Sequence, residues 1–157
     1  MYGCAVLASY DAGWASTYSD AILSLVRDYA NPAIGGLASS DPSFTRLRHF
    51  SVFDSHSWAS GLFVFADGRN QESSSESINA YYALSLLGLA LKRPDMQQLG
   101  RALQTMETLG TNTYWHSTSK SSVYPDLFAD NKCVGMVWSV GTQQQCAAAV
   151  HGAVPRC

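Results

Sequence analysis

The chain has 157 residues, which is enough for one modest domain with a real core. Charged residues make up only 14% and the formal net charge is -2, so there is no basic footprint and no nucleic-acid partner is expected. Ser and Gly interrupt every apolar run before it reaches transmembrane length, so no membrane association is predicted. The N-terminus lacks the positively charged region of a signal peptide.

Cysteine usage indicates neither a metal site nor a disulfide framework. The chain has four cysteines, Cys4, Cys133, Cys146 and Cys157, which lie far apart and form no Cys-x-x-Cys pair. Zinc is therefore not expected. Because the spacing does not constrain any disulfide, scattered core or surface thiols are the favoured interpretation. We predict no metal and no cofactor.

The first third of the chain carries one clear helical pattern. Apolar residues recur at helical spacing between Ala15 and Ala30, and the Asn-Pro pair that follows is a stop signal. Before this helix, "DAGW" at 11–14 predicts a turn, and the apolar residues 4–9 fit the end of a short helix. Residues 33–57 are rich in Gly, Ser, Pro and Asp, which predicts a long loop.

The middle of the chain predicts a turn followed by two helices. "DGRN" at 67–70 is a strong turn signal, and Ser73 with Glu76 has the spacing of a capping box. The helix that follows is expected to run to about Leu91, where "KRPD" ends it. Asp95 is expected to cap the second helix. The apolar stripe of that second helix consists of Leu99, Leu103, Met106 and Leu109.

Two apolar segments and a further loop complete the prediction. Residues 58–66 and 133–140 are short apolar segments, whereas 110–132 read as a polar, aromatic loop. The chain contains no obvious internal repeat and no low-complexity linker. Helices joined by long loops are therefore expected, and long loops in a small domain are usually functional.

The two glutamates ahead of the first apolar helix of this region, Glu72 and Glu76, allow two interpretations. Residues four apart lie on one face of a helix, and carboxylates are stabilised at a helix N-terminus. Ordinary capping therefore explains them, and composition alone favours it. A pair of carboxylates at the end of an apolar helix is also what acid–base or nucleophilic catalysis needs.

Amide and aromatic side chains in the surrounding sequence favour a carbohydrate ligand. Aromatic faces stack on sugar rings, while amides and carboxylates bind sugar hydroxyls, and glycoside hydrolysis needs two carboxylic groups that flank the scissile bond. Low charge suits a neutral polymer better than a phosphate-bearing ligand. The residues concerned are His56, Trp58, Asn70, Gln71, Asn79, Tyr81, Tyr82 and Trp115.

At this point the chain resembles a known family. The segment 56–91, "HSWASGLFVFADGRNQESSSESINAYYALSLLGLAL", looks like the signature of glycoside hydrolase family 81, the endo-β-1,3-glucanases. The resemblance covers roughly residues 2–139. Further segments that agree in order and spacing are "VRDYANP" (26–32), "FDSHSW" (53–58, with Ser55 where the family has Gly), "YWH" (114–116) and "VYPDLFADNKCVGMVWS" (123–139).

The resemblance implies an all-α fold, in which residues 1–139 form part of an (α/α)6 barrel with long loops and residues 140–157 form a divergent tail. It also implies hydrolysis of internal bonds of β-1,3-glucan with inversion. The expected partner is thus a β-1,3-glucan polysaccharide, and the expected location of a full-length family member is extracellular or in the cell wall.

The family's functional residues carry over onto matching positions. Glu72 looks like the general base, and Glu76 looks like the second carboxylate of the site. The family's general acid, an Asp, precedes a Tyr-Gly pair that matches Tyr2-Gly3, so it is expected upstream of Met1. The expected substrate-binding residues are Tyr2, Asp54, His56, Trp58, Asn70, Gln71, Asn79 and Trp115.

Structural alternatives stay open for several of these residues. Trp58 fits the core as well as it fits a glucan cleft, and His56 fits a turn cap equally well. Asp54 fits loop positioning better than sugar binding, whereas Trp115 and His116 fit an aromatic platform for sugar.

Three hypotheses about function follow. The first is an endo-β-1,3-glucanase. The second is a non-catalytic β-1,3-glucan-binding remnant, because a chain without its general acid should be nearly inert. The third is a fragment that does not fold on its own.

Overall fold

Helices dominate the structure, a computed structural model that describes residues 1–31, 41–59, 61, 68–118 and 121–139, with the backbone of 149–150. Most of the predicted apolar segment 58–66 and nearly all of the predicted tail 140–157 lie outside the described residues. The chain divides into two units. The first unit comprises Met1–Arg48 and Ser75–Thr105, and the second comprises His49–Ser74 and Met106–Cys157.

The first unit begins with three helices, α1 (Tyr2–Tyr10), α2 (Ala12–Thr17) and α3 (Ser19–Ala30). The turn predicted at 11–14 is wrong, because Asp11 is the N-cap of α2 and its Oδ1 accepts a hydrogen bond of 3.0 Å from the Trp14 backbone N–H. The single helix predicted from 15 to 30 is interrupted at Tyr18. The predicted stop is confirmed, since α3 ends before Asn31, whose backbone is extended.

The next helix, α4 (Ser74–Ala90), matches its predicted bounds. It begins directly after Ser73, as the capping-box spacing predicts. At its other end Lys92 adopts a left-handed conformation with φ of 54°. The Lys92 N–H donates to the Leu89 carbonyl at 3.2 Å, and the Arg93 N–H donates to the Gly88 carbonyl at 2.7 Å. This pair of bonds is a Schellman motif, which gives the "KRPD" stop its physical basis.

The longest helix, α5 (Pro94–Tyr114), differs from its prediction at both ends. Asp95 lies inside the first turn, not at the N-cap, and pairs with the Arg93 guanidinium at 2.7 Å. The helix continues through residues predicted as loop. The predicted stripe is only partly buried, because Leu109 is 59% exposed. The buried positions along α5 are instead Met96, Gly100, Leu103, Glu107 and Gly110.

Within the first unit, α4 and the N-terminal half of α5 pack at close range. A Cβ atom on Gly88 would lie 2.4 Å from the Gln97 backbone nitrogen. A Cβ atom on Gly100 would lie 2.6 Å from the Ser85 backbone nitrogen. Glycine at both positions therefore lets the two backbones approach, with Leu84 completely buried in α4.

The second unit contains two small antiparallel sheets, so the expectation of a purely helical fold is corrected to a mostly helical one. Strands β1 (Phe50–Ser51) and β2 (His56–Ser57) form a hairpin inside the predicted loop 33–57. Strands β3 (Arg69–Gln71), β4 (Val137–Ser139) and β5 (Ala149–Val150) form the other sheet, in the order β3-β4-β5. Asp67, the first residue of the turn predicted at 67–70, lies outside the described residues; Gly68 has φ of 87°, and Arg69 and Asn70 belong to β3.

An aromatic core holds the second unit together. Trp58, Trp115, Tyr124, Val134 and Val137 form one buried cluster. The short helix α6 (Asp126–Ala129) follows Tyr124, whose hydroxyl donates a 2.7 Å hydrogen bond to the Tyr114 carbonyl. The apolar segment predicted from Cys133 therefore supplies part of this core and strand β4.

Two further predictions concerned the state of the cysteines and the presence of membrane-spanning segments. Cys4 and Cys133 are free thiols, whereas Cys146 and Cys157 fall outside the described residues. Among the helices that the structure describes, none is long and apolar enough to cross a membrane.

Candidate functional site

Glu72 is an exposed carboxylate that follows directly on a buried strand residue. Gln71, the last residue of β3, is only 4% exposed and is paired in register with Val137 of β4. The Gln71 Nε2 atom donates a 2.9 Å hydrogen bond to the Ser57 hydroxyl oxygen. The strand thus fixes the backbone at the residue before Glu72, while the carboxylate of Glu72 itself stays open to solvent.

The Ser57 hydroxyl connects this strand to a buried carboxylate that the sequence prediction missed. Glu107 is completely buried on α5. Its Oε2 accepts a 2.7 Å hydrogen bond from the Ser57 backbone N–H, and its Oε1 lies 3.2 Å from the Ser57 hydroxyl, which donates to it. The signal in the sequence was the spacing, because Glu107 continues the buried stripe of Gly100 and Leu103 at helical intervals.

The predicted ligands His56 and Trp58 lie in the interior of the second unit. His56 is 2% exposed, and its ring centroid lies 4.5 Å from that of Trp58 and 5.1 Å from that of Trp115. Burial lowers the pKa of His56 below its ordinary value, although the hydrogen bond to the Ser57 carbonyl opposes this. The imidazole is therefore neutral at pH 7 and donates from Nδ1 to that carbonyl at 2.8 Å.

Two side chains contact Trp58: Asp54 binds its indole N–H, and Arg69 lies over its ring. The Trp58 indole N–H donates to the Asp54 Oδ2 at 3.3 Å, and the Arg69 guanidinium carbon lies 4.8 Å from the Trp58 ring centroid. Asn70 is half-buried in β3, and its carbonyl accepts a 2.9 Å hydrogen bond from Ala59. These contacts favour the structural alternatives for Asp54 and Trp58 that the sequence left open.

Trp115 is likewise a core residue, with 4% of its surface exposed. Its indole Nε1 is buried and has no hydrogen-bond partner among the described residues. His116, the neighbouring residue, is exposed, and its backbone forms an isolated antiparallel β-bridge with Cys133. The ring of Trp115 is not exposed in this structure. Its role as an aromatic platform for sugar stays a prediction.

In the first unit, three predicted site residues line one surface depression. Tyr2, Glu76 and Asn79 are all exposed, and the Tyr2 hydroxyl donates a 3.1 Å hydrogen bond to the Asn79 Oδ1. The depression has a volume of about 280 Å³. Its floor includes Tyr29, whose hydroxyl donates to the Ala80 carbonyl at 3.5 Å and whose pKa is raised, chiefly by burial.

The predicted site residues therefore form two groups, one in each unit. The second unit presents Glu72 to solvent and buries His56, Trp58, Gln71 and Trp115. The first unit presents Tyr2, Glu76 and Asn79. Within the described ranges, no group of three or more His, Cys, Asp or Glu side chains is arranged to hold a metal ion. The chemistry open to these residues is proton transfer by exposed carboxylates and hydrogen bonding to a neutral ligand.

Comparison with known proteins gives the chain a family. The family described as "Glycosyl hydrolase family 81 C-terminal domain" matches residues 1–146. A protein of Glycine max named "Glucan endo-1,3-beta-D-glucosidase" is 39% identical over 140 residues, which are 88% of this chain and 20% of that protein. The "Primary septum glucan endo-1,3-beta-D-glucosidase" of Schizosaccharomyces pombe is 33% identical over 88% of this chain and 13% of its own length.

A solved structure agrees with this assignment. A glycoside hydrolase family 81 protein from Clostridium thermocellum superposes with a TM-score of 0.68 and 35% sequence identity. The match covers 86% of this chain and 18% of the solved chain. The present chain thus spans between 13% and 20% of the length of these relatives.

Proposed function

The chain belongs to glycoside hydrolase family 81, and from this premise we propose that it contributes to the hydrolysis of internal bonds in β-1,3-glucan. Two relatives that align with 88% of this chain are named glucan endo-1,3-β-D-glucosidase, and these names support the proposal. Because the chain spans only a fifth or less of these proteins, the activity is proposed for the polypeptide that contains it.

We propose that Glu72 is the general base. The observation that carries this role is the placement of Glu72: an exposed carboxylate directly after Gln71, a buried and hydrogen-bonded strand residue. A general base must reach water and must be held in a fixed position. In the inverting reaction, Glu72 removes a proton from the water that attacks the anomeric carbon, while a separate acid protonates the leaving oxygen.

Glu76, Tyr2 and Asn79 are proposed to act on the sugar or on the attacking water. All three are exposed around the depression of about 280 Å³ in the first unit. Tyr2 and Asn79 already share a 3.1 Å hydrogen bond, which orients a phenol and an amide as neutral donors and acceptors. Neutral groups of this kind suit sugar hydroxyls. Glu76 is proposed as the second carboxylate of the site.

The buried predicted ligands are proposed to support the site, not to contact glucan. His56, Trp58 and Trp115 are each less than 5% exposed, so glucan has no access to their rings in this structure. Their edge-to-face packing stabilises the unit that carries Glu72. Asp54 acts with them by accepting the Trp58 indole hydrogen bond.

Two coarser proposals follow from the family. The helices of residues 1–139 are proposed to be part of a larger (α/α)6 barrel. The protein is proposed to act on extracellular or cell-wall glucan, because one relative is named for the primary septum. Neither proposal is needed for the assignment of Glu72.

The experiment that tests the function is hydrolysis of linear β-1,3-glucan by the purified full-length polypeptide that contains this chain. We expect new reducing ends and a fall in mean chain length that indicates internal cleavage. Linear β-1,4-glucan, with the same sugar and a different linkage, serves as the matched control and should not be cleaved.

Sedimentation with insoluble β-1,3-glucan distinguishes the other hypotheses. Binding without new reducing ends would identify a glucan-binding remnant and would contradict the enzymatic proposal. The third hypothesis is tested on residues 1–157 alone: a cooperative thermal melt of this chain would contradict a fragment that does not fold on its own.

A further inference from the structure

Glu107 occupies a fully buried position of α5, where an apolar side chain would be expected. Burying a charge is costly unless hydrogen bonds satisfy it. The residues one turn to either side, Leu103 and Gly110, are apolar or small. A leucine at position 107 would continue the same stripe. The role of a glutamate at this position therefore depends on the groups that its oxygens bind.

Both carboxylate oxygens of Glu107 bind Ser57, at two different points of that residue. The backbone N–H of Ser57 donates to one oxygen at 2.7 Å, and the hydroxyl lies 3.2 Å from the other. Both Ser57 groups are donors in this arrangement, so only a carboxylate offers two acceptors. An amide would present an NH₂ group to one of them.

Glycine at position 110 brings α5 close enough for these bonds. A Cβ atom on Gly110 would lie 2.5 Å from the Ser55 carbonyl oxygen and 3.1 Å from the His56 Cβ. The helix backbone therefore lies directly against the turn between β1 and β2. One turn earlier on the same helix, Glu107 meets Ser57.

Ser57 passes this constraint on to the strand that precedes Glu72. Because its hydroxyl hydrogen points to Glu107, the lone pairs of the same oxygen are left to accept from Gln71, at 2.9 Å. The direction of each hydrogen bond is thereby set. Gln71 is held by its side chain to Ser57 and by the register of β3 on β4, and Glu72 is the next residue.

We propose that Glu107 is a positioning residue, which acts through Ser57 and Gln71 to hold the backbone that presents Glu72 for proton transfer. This inference rests on the proposed role of Glu72 as general base. Glu107 is buried and does not contact glucan. Its effect is on the geometry of the base, and misplacement of a catalytic group by about 1 Å can cost on the order of 10²-fold in rate.

The test compares the full-length polypeptide that contains this chain with its Glu107→Gln variant on β-1,3-glucan. The amide keeps the shape of the side chain and removes one of its two acceptors. We expect kcat to fall by about 10- to 100-fold, as misplacement of the base predicts, with KM changed less than about two-fold. Hydrogen exchange at residues 69–73 should become faster, while exchange in the middle of α4 stays the same.

Asp95→Asn is the matched control, since it is the same acid-to-amide change on the same helix. It removes the ion pair with Arg93 and does not touch Ser57. We expect it to lower the unfolding temperature without changing kcat. Ser57→Ala provides a second variant, and its loss of kcat should not add to that of Glu107→Gln, because both act through one chain of hydrogen bonds.

Each outcome decides between the inference and its premise. Wild-type kcat in folded Glu107→Gln overturns the positioning role and leaves the proposed function intact. A fall in kcat without faster exchange at residues 69–73 also overturns it, as does an additive loss with Ser57→Ala. If the wild-type protein itself does not cleave glucan, the proposed function fails and the inference fails with it.

Discussion

The close approach of α4 and α5 predicts that Gly100→Ala destabilises the protein. A Cβ atom at this position would lie 2.6 Å from the Ser85 nitrogen and 2.8 Å from the Tyr81 carbonyl oxygen. Both neighbours are backbone atoms, which no change of rotamer can move. Ordinary van der Waals contact begins at 3.4 Å, so the two helices would have to separate by about 0.8 Å at this point.

The magnitude follows from two opposing effects. Alanine is about 1 kcal/mol better than glycine in a helix interior, which favours the variant. Forcing an extra carbon into a close-packed contact costs about 1–3 kcal/mol, and more where backbone must shift. Because both neighbours of Gly100 are backbone atoms, the upper part of that range applies, about 2–3 kcal/mol, which leaves a net loss of about 1–2 kcal/mol in the free energy of unfolding.

The assay is urea-induced unfolding followed by far-UV circular dichroism. Gly3→Ala is the matched control, because Gly3 lies in α1 with no atom within 4 Å of the position where its Cβ would be. It should stabilise the protein by up to about 1 kcal/mol. The slope of the transition should be unchanged in both variants. Equal or greater stability of Gly100→Ala would refute the close approach of the two helices.

Two further predictions concern Lys92, at the C-terminal end of α4, and the protonation of His56. Lys92→Gly should stabilise the protein by roughly 0.5–1 kcal/mol, because glycine adopts the left-handed conformation of this C-terminal cap without strain; a lower urea midpoint would contradict the Schellman motif. Burial lowers the pKa of His56 in the folded state, so the unfolded state binds the proton more readily. Stability should therefore fall as pH drops below 6.5 toward the lowered pKa, by up to about 1.4 kcal/mol per pH unit. His56→Phe should remove that slope, and a slope that persists in this variant would show that another group is responsible.

Local signals were sufficient where the chain folds by local rules. The bounds of α4 follow from the serines ahead of it and from "KRPD" behind it, because capping and helix termination act within one turn. The same rules failed at "DAGW", since an Asp with a Gly two residues later begins turns and helices alike. Asp11 caps a helix there, as its hydrogen bond to Trp14 shows.

Tertiary contacts decided the elements that the sequence left as loops. The last turn of α5 contains Gly110 and polar β-branched residues of weak helix propensity, which predicted a loop. Gly110 is instead required there, because the Ser55 carbonyl lies against it. Strands β1 and β2 have only two residues each, too few for any alternation to be visible.

The candidate site divides in the same way. Glu72, Glu76, Tyr2 and Asn79 are exposed, which agrees with their proposed contact with substrate, and a resemblance in sequence selected them. Glu107 belongs to no predicted motif, because its role depends on hydrogen bonds to a residue 50 positions earlier in the chain. Only the structure shows that these two parts of the chain meet.

The central claim, that Glu72 is the base of a β-1,3-glucanase, is tested most directly by Glu72→Ala with sodium azide added. Azide is a small nucleophile that needs no base, and the truncated side chain leaves room for it. We expect Glu72→Ala to lose about 10²- to 10⁴-fold in the rate of glucan hydrolysis. Azide should restore bond cleavage and yield a glycosyl azide of α configuration, inverted from the β linkage. Hydrolysis at the wild-type rate by Glu72→Ala, with Asp20→Ala as the control, would contradict the assignment.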